Sequence, residues 1–194
     1  MALTALDPRT ALVVIDLQNG IAGAPTQPHS GADVVARSVA LADAFRARDL
    51  PVVLVRVSFA PDWADRVPGR TEHEGAGGAY PEGWDVIVDE LSGHPGDIHV
   101  TKHNWGAFHG TDLDVQLRRR GVTQIVLTGI ATSIGVESTA RAAHEHGYHV
   151  TVATDAVSDL APEPHANSVD RIFPRLGETG TTAEILELLA KTHA

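Results

Sequence analysis

The sequence predicts an α/β fold in which a parallel sheet is covered by helices on both faces. Two observations carry this: its apolar runs are short and continuous rather than alternating, and helical patterns lie between them. A strand with one wet face alternates polar and apolar residues, whereas ALVVIDL (residues 11–17) and QIVLTGI (124–130) do not.

Residues 11–17 form the first expected strand, ending in an acid. A helix follows, with Val35, Val39, Ala42 and Phe45 on one face. Arg46 and Arg48 suit its negative end, and Leu50-Pro51 stops it. PVVLVRVS (51–58) is the second strand. Residues 59–95 then carry Pro68, Gly69, Gly75, Gly77, Gly78, Pro81 and Gly83 with three large aromatics, Trp63, Tyr80 and Trp84. A loop this long is either a functional lid or a surface excursion whose aromatics pack on the sheet edge or on another subunit.

DIHVT (97–101) is a shorter third strand. Thr111 reads as an N-cap, with Asp112 and Asp114 in the first helical turn, Arg118 to Arg120 in the last, and Gly121 as terminator. In a chain this acidic, the arginine triplet is read as complementing a helix C-terminus rather than as a binding patch. The fourth strand, 124–130, runs into a turn and helix of small residues, GIATSIGVESTARAA (129–143). YHVTVATD (148–155) is a fifth, weakly alternating strand, and AEILELLA (183–190) a closing helix.

Composition narrows the function. At 194 residues, the chain is read as one domain, 1–194. Absence of cysteine excludes disulfides, thiolate metal sites and a thiol nucleophile. With 15 basic and 25 acidic residues the net charge is −10, which opposes nucleic-acid binding. No apolar run is long enough to span a bilayer, and MALTALDPRTA lacks the basic and apolar regions of a signal peptide. The expectation is a cytoplasmic protein with a small-molecule partner, away from membranes and nucleic acid.

Ligands of parallel sheets bind beyond the carboxyl ends of the strands. Asp16, Arg56, Ser58, Lys102 and Asp155 fall there, with Thr132, Ser133 and Gly135 in the small-residue turn. A carboxylate after VVI is costly unless paired or functional, and Lys102 is its natural partner if their strands are neighbours. A purely structural ion pair is the alternative. Burial would raise the Asp16 pKa and Lys102 would lower it, so the sequence leaves its charge open. Asp155, beside Thr154 and Ser158, reads as a cap.

Thr132 or Ser133 would cap the helix and leave N–H groups around Ile134 to Val136 for an anion or oxyanion. Arg56 would meet a substrate carboxylate or form a salt bridge, and Gln18 would orient Asp16 or a water. Trp105 and Phe108 would wall the pocket or sit in the core. Among 11 histidines, His99 and His103 have helical zinc spacing but would lie ~13 Å apart on a strand, so no metal or other cofactor is expected. A serine triad fails for want of a G-x-S-x-G elbow.

Three ordered motifs, ALVVIDLQNG, VTKHNWGAFHGTDL and LTGIATSIGVESTARAA, resemble the isochorismatase-like, or cysteine hydrolase, superfamily across residues 10–190. The resemblance implies a Rossmann-like three-layer α/β/α sandwich with a six-stranded parallel sheet. It maps the family's catalytic Asp and Lys onto Asp16 and Lys102, and its Cys onto Gly135, which removes covalent thiolate catalysis. The Asp–His–His metal pattern of nicotinamidases is missing, and Gly106 stands where the lysine motif usually has Ser.

Isochorismatases also carry Gly in place of Cys and hydrolyse a vinyl ether with the Asp as proposed proton donor. The family turn often contains a cis peptide, here Ile130-Ala131, so Ile130, Ala131 and Ile134 would contact substrate. SIGVESTAR resembles a YecD-like subgroup; isochorismatases instead place an aromatic and a His at Ala131 and Thr132. The implied protein is a homo-oligomeric hydrolase of a small vinyl ether, amide or imide without a covalent intermediate. The alternatives are a silent metabolite-binding homologue and a structural module with a vestigial pocket.

Overall fold

The structure is a computed structural model and describes residues 3–72 and 80–192. Its strands are β1 (Thr10–Ile15), β2 (Val52–Val57), β3 (Ile98–Lys102), β4 (Gln124–Ile130), β5 (His149–Ser158) and β6 (Glu178–Gly180). They form one six-stranded sheet in the order β3-β2-β1-β4-β5-β6, with every neighbouring pair parallel. The helices are α1 (Asn19–Ala22), α2 (Gly31–Arg46), α3 (Leu113–Arg119), α4 (Glu137–Glu145), α5 (Pro162–Asn167), α6 (Phe173–Leu176) and α7 (Thr182–Thr192). Two π-helical turns, Thr132–Val136 and Ser168–Ile172, precede α4 and α6.

The continuous apolar runs follow from burial on two sides. Ala11, Val13 and Ile15 of β1 join one core with residues of α3, α4 and α6. Leu12 and Val14 join the opposite core with Val34, Leu41 and Phe45 of α2 and Ile185 and Leu189 of α7. Because both faces are covered, no position on this strand favours a polar side chain.

The early elements match the sequence expectation to within a few residues. The N-cap of α3 is Asp112, one residue later than expected, and its side chain makes no cap bond; the Thr111 hydroxyl, just before it, accepts the Leu113 N–H at 3.2 Å. Arg118 closes the other end of that region, donating to the His146 carbonyl and lying 4.4 Å over the Tyr148 ring. Asp155 is a cap: its Oδ1 accepts the Thr182 N–H at 2.7 Å at the start of α7. Residues 59–95 contain no helix or strand among the described positions; Gly75, Gly77 and Gly78 lie outside them.

The segment between β5 and α7 departs from the expectation. It holds α5, α6 and the three-residue edge strand β6, so the chain has one more strand–helix unit than periodicity indicates. ETG is too short for an alternation signal, and Pro162, Pro164 and Pro174 break the apolar period of the helical region.

Strand order reverses between β1 and β4, which opens a crevice beyond their carboxyl ends. The two strands are in very close contact there. Gly129 sits at φ +122°, and a Cβ on it would lie 2.0 Å from the Ile15 carbonyl oxygen. Only glycine permits both that conformation and that approach.

Candidate active site

Asp16 leaves β1 in the left-handed region, at φ +54°, uncommon for a residue with a side chain. Its N–H donates to Val55 and its carbonyl accepts from Gln18, both at 2.9 Å. These bonds hold the strained residue at the mouth of the crevice. Lys102 arrives from β3, and β2 separates its strand from β1. The two strands are therefore not neighbours, and the long lysine reaches over β2 instead. Its Nζ lies 2.7 Å from Asp16 Oδ2 and donates to the Trp105 carbonyl at 2.6 Å.

Both charged groups are buried, with relative exposures of 5% and 2%. Among the described residues, Asp16 Oδ1 has no hydrogen-bond partner. Burial pushes the Asp16 pKa up from 3.8 to about 6, against the opposing pull of the Lys102 ammonium. Burial thus prevails over the cation in the direction of the shift, yet the carboxyl remains mostly ionised at pH 7.

The raised pKa fixes the sign of a stability effect. A carboxyl that binds its proton more tightly when folded contributes its stabilisation in full below pH 3.8, and that contribution is lost as pH rises through about 6. The difference in unfolding free energy between wild type and Asp16→Asn should therefore shift by about 3 kcal/mol against wild type from pH 3 to pH 8. Urea titrations at stepped pH measure it, and a pH-independent difference would refute the raised pKa.

The turn after β4 completes the crevice. Its Ile130-Ala131 peptide is cis, where the family resemblance places one. Neither Thr132 nor Ser133 caps the turn by its side chain. The Ser133 N–H donates to Asp159 Oδ2 at 2.6 Å, and the Thr132 hydroxyl pairs with His165 Nδ1 at 2.9 Å. The N–H groups of Ile134 and Val136 both donate to the Ala131 carbonyl at 3.2 Å, so they are not open to an anion as the sequence suggested. None of these bonds uses the Gly135 N–H. A Cβ on Gly135 would lie 2.9 Å from Ile15 Cγ2, 3.1 Å from Asp16 Oδ2 and 3.3 Å from Lys102 Nζ. The side-chain position missing at residue 135 therefore points between the two charges.

A cavity of about 360 Å³ opens over this point. Of the residues singled out from sequence, Asp16, Lys102, Gly135, Trp105, Ile130, Ala131 and Ile134 line it. Three others lie elsewhere. Gln18 is buried beside the cavity, its amide donating to the Val57 carbonyl at 3.0 Å and accepting the Val57 N–H at 2.9 Å. Arg56 turns outward to Asp85 Oδ2 at 3.5 Å, the salt-bridge alternative for that residue. Phe108 packs in the core against Tyr148, with ring centroids 5.9 Å apart. Gln18 and Phe108 lie beyond the ends of β1 and β3, where the loop sets direction, whereas Arg56 lies within β2 and is drawn to Asp85 of the following loop.

Sequence reasoning did not assign Phe59, Arg66, Val67, His103, Asn104 and Leu160 to the cavity, and it left open where Tyr80 and Trp84 pack. Most come from residues 59–95, whose lack of period conceals direction. Tyr80 and Trp84 stack at 3.7 Å and form part of the wall. Among the described residues, no group of three or more His, Asp or Glu could hold a metal ion. No described helix is long and apolar enough to cross a membrane.

The isochorismatase domain profile matches residues 10–184. The chain belongs to the isochorismatase family.

Within that family it is 46% identical over 180 residues to the uncharacterized isochorismatase family protein YecD of Escherichia coli O157:H7, covering 93% of this chain and 96% of that protein. An isochorismatase family protein of Burkholderia thailandensis superposes with a TM-score of 0.93 at 50% identity, covering 96% of this chain and 98% of the other. The ureidoacrylate amidohydrolase RutB of Methylobacterium radiotolerans is 34% identical over 183 residues, 82% of this chain and 71% of that enzyme.

Proposed function

We propose that this isochorismatase-family protein hydrolyses a small amide, ureide or imide by direct water attack, with Asp16 as general base. The observation that carries the reading is the Asp16 carboxyl itself. Its Oδ2 is held by Lys102, its Oδ1 is unpartnered, and its pKa of about 6 leaves it ionised but basic at neutral pH. Similarity to an amidohydrolase supports the substrate class.

In this mechanism a water rests over Gly135, where other members of the superfamily carry a Cys side chain. Asp16 takes one proton as the water oxygen bonds to the carbonyl carbon. The C–N bond then breaks, and Asp16 returns that proton to the departing nitrogen. Lys102 stays protonated and stabilises the negative charge, aided by the Gly135 N–H. No thioester intermediate forms, because the chain offers no cysteine, and the attacking group in this reading is the water itself.

A second reading draws on the same burial. A carboxyl whose pKa is raised to about 6 could donate its proton to a vinyl-ether carbon at mildly acid pH, as isochorismatases are proposed to do. One screen separates the two. Ammonia release from ureides and primary amides, ureidoacrylate included, or ring opening of a cyclic imide to its amic acid, is expected from wild type, with an unmodified protein mass after rapid quenching. Pyruvate release from isochorismate alone would favour proton donation. No turnover of either class would leave a silent metabolite-binding homologue.

A further inference from the structure

The charge of the cavity runs against that of the chain. The protein carries a net −10, yet among the described residues Asp16 is the one carboxylate lining the cavity, against two fixed cations, Lys102 and Arg66. Asp16 neutralises Lys102 at 2.7 Å. His103 is engaged outside, its Nδ1 lying 2.6 Å from the Ser58 carbonyl and 3.2 Å from Asp65 Oδ2. The Arg66 guanidinium lies over the Trp63 ring, 5.4 Å from its centroid, and forms no ion pair among the described residues. Among the described residues, one positive charge is left over at the cavity wall.

The turn that presents Arg66 is built for the purpose. Both Asp65 carboxylate oxygens accept the Ala60 N–H, at 2.9 and 3.0 Å. The Trp63 N–H donates back to the Ala60 carbonyl at 2.9 Å, and the Arg66 N–H to the Trp63 carbonyl at 3.1 Å. Trp63 sits at φ +59°, a costly conformation for a large side chain that persists only where its surroundings enforce it. The indole face seats the guanidinium, reducing the freedom lost when an anion is bound.

We infer that Arg66 is the anion anchor of this site, and that the ligand carries a carboxylate on a flat apolar body lying against the Phe59 and Trp84 rings. Arginine suits that group because its planar fork meets both carboxylate oxygens. Arg56, the expected anchor, faces Asp85 instead. The inference rests on the cavity being the substrate pocket proposed above, but concerns charge recognition rather than the reaction.

The test is calorimetric binding of benzoate and of nitrobenzene, its neutral isostere, to wild type, Arg66→Gln and Asp16→Asn. Wild type is expected to bind benzoate about tenfold more tightly. Arg66→Gln should abolish that preference without weakening nitrobenzene binding, and Asp16→Asn should keep it. Equal affinities in wild type, no benzoate binding, or a preference that survives Arg66→Gln overturns the inference; the last would make Lys102 the anchor. A preserved preference with no turnover of any ureide or amide would instead remove the hydrolase reading and leave the anchor in place.

Discussion

Asp16→Asn should lower turnover about a thousandfold while leaving substrate affinity within a few-fold of wild type. Asparagine nearly preserves the shape of the carboxyl but cannot accept the proton of an attacking water. The kcat/KM of wild type should rise tenfold per pH unit below about 6 and level off above it, because the ionised form is the active one. The opposite limb, activity falling above about 6, would identify Asp16 as a proton donor. The variant also leaves Lys102 with the Trp105 carbonyl as its remaining partner, so its fold should be verified by circular dichroism before rates are compared. An Asn variant retaining a tenth of wild-type activity would rule out both roles.

The second large effect concerns Gly135. An added Cβ would stand 3.1 Å from Asp16 Oδ2 and 3.3 Å from Lys102 Nζ, in the space assigned to the water. Gly135→Ala and Gly135→Cys should both lose about a hundredfold or more in the native reaction. Both should also lose about 1–3 kcal/mol of stability, since Ile15 Cγ2, at 2.9 Å, must move. The thiol of Gly135→Cys would have Asp16 as proton acceptor and Lys102 as neighbouring cation. Iodoacetamide at pH 7 should alkylate it about tenfold faster than free cysteine. Full activity in both variants would show that the chemistry runs elsewhere in the cavity. A sluggish thiol would show that the Asp16–Lys102 pair does not activate what is placed at position 135.

These two experiments depend on one feature of the site: a lysine and an aspartate from non-adjacent strands, joined over the strand between them. Adjacent strands lie ~4.8 Å apart, so bridging two spacings takes a side chain as long as lysine. An arginine could also span the distance, but would hold the carboxylate with its fork rather than as a compact charge. At 2.7 Å, Lys102 anchors one carboxylate oxygen and leaves the other unengaged.

Much of this was legible in the chain. Continuous apolar runs at β1, β2 and β4 required a sheet buried on both faces, because only double burial removes the polar half of a strand. An acid ending such a run, a lysine ending another, and a turn of small residues after a third marked three corners of the site. Local chemistry also placed Thr111 beside the start of α3 and marked Asp155 as a cap, while the helix it caps, α7, was fixed by the fold.

What only the tertiary structure decided were quantities that depend on neighbours distant in sequence. Whether burial or Lys102 governs Asp16 is a balance of desolvation against a 2.7 Å contact, and no spacing encodes it. Asp159 rather than Thr132 or Ser133 satisfies the turn's Ser133 N–H, because β5 delivers that carboxylate from 26 residues away. Arg56 was the anion partner that the sequence offered, and Arg66 was not singled out. The loop after β2 brings Asp85 to Arg56 and seats Arg66 on Trp63, since such a segment takes its direction from what it packs against.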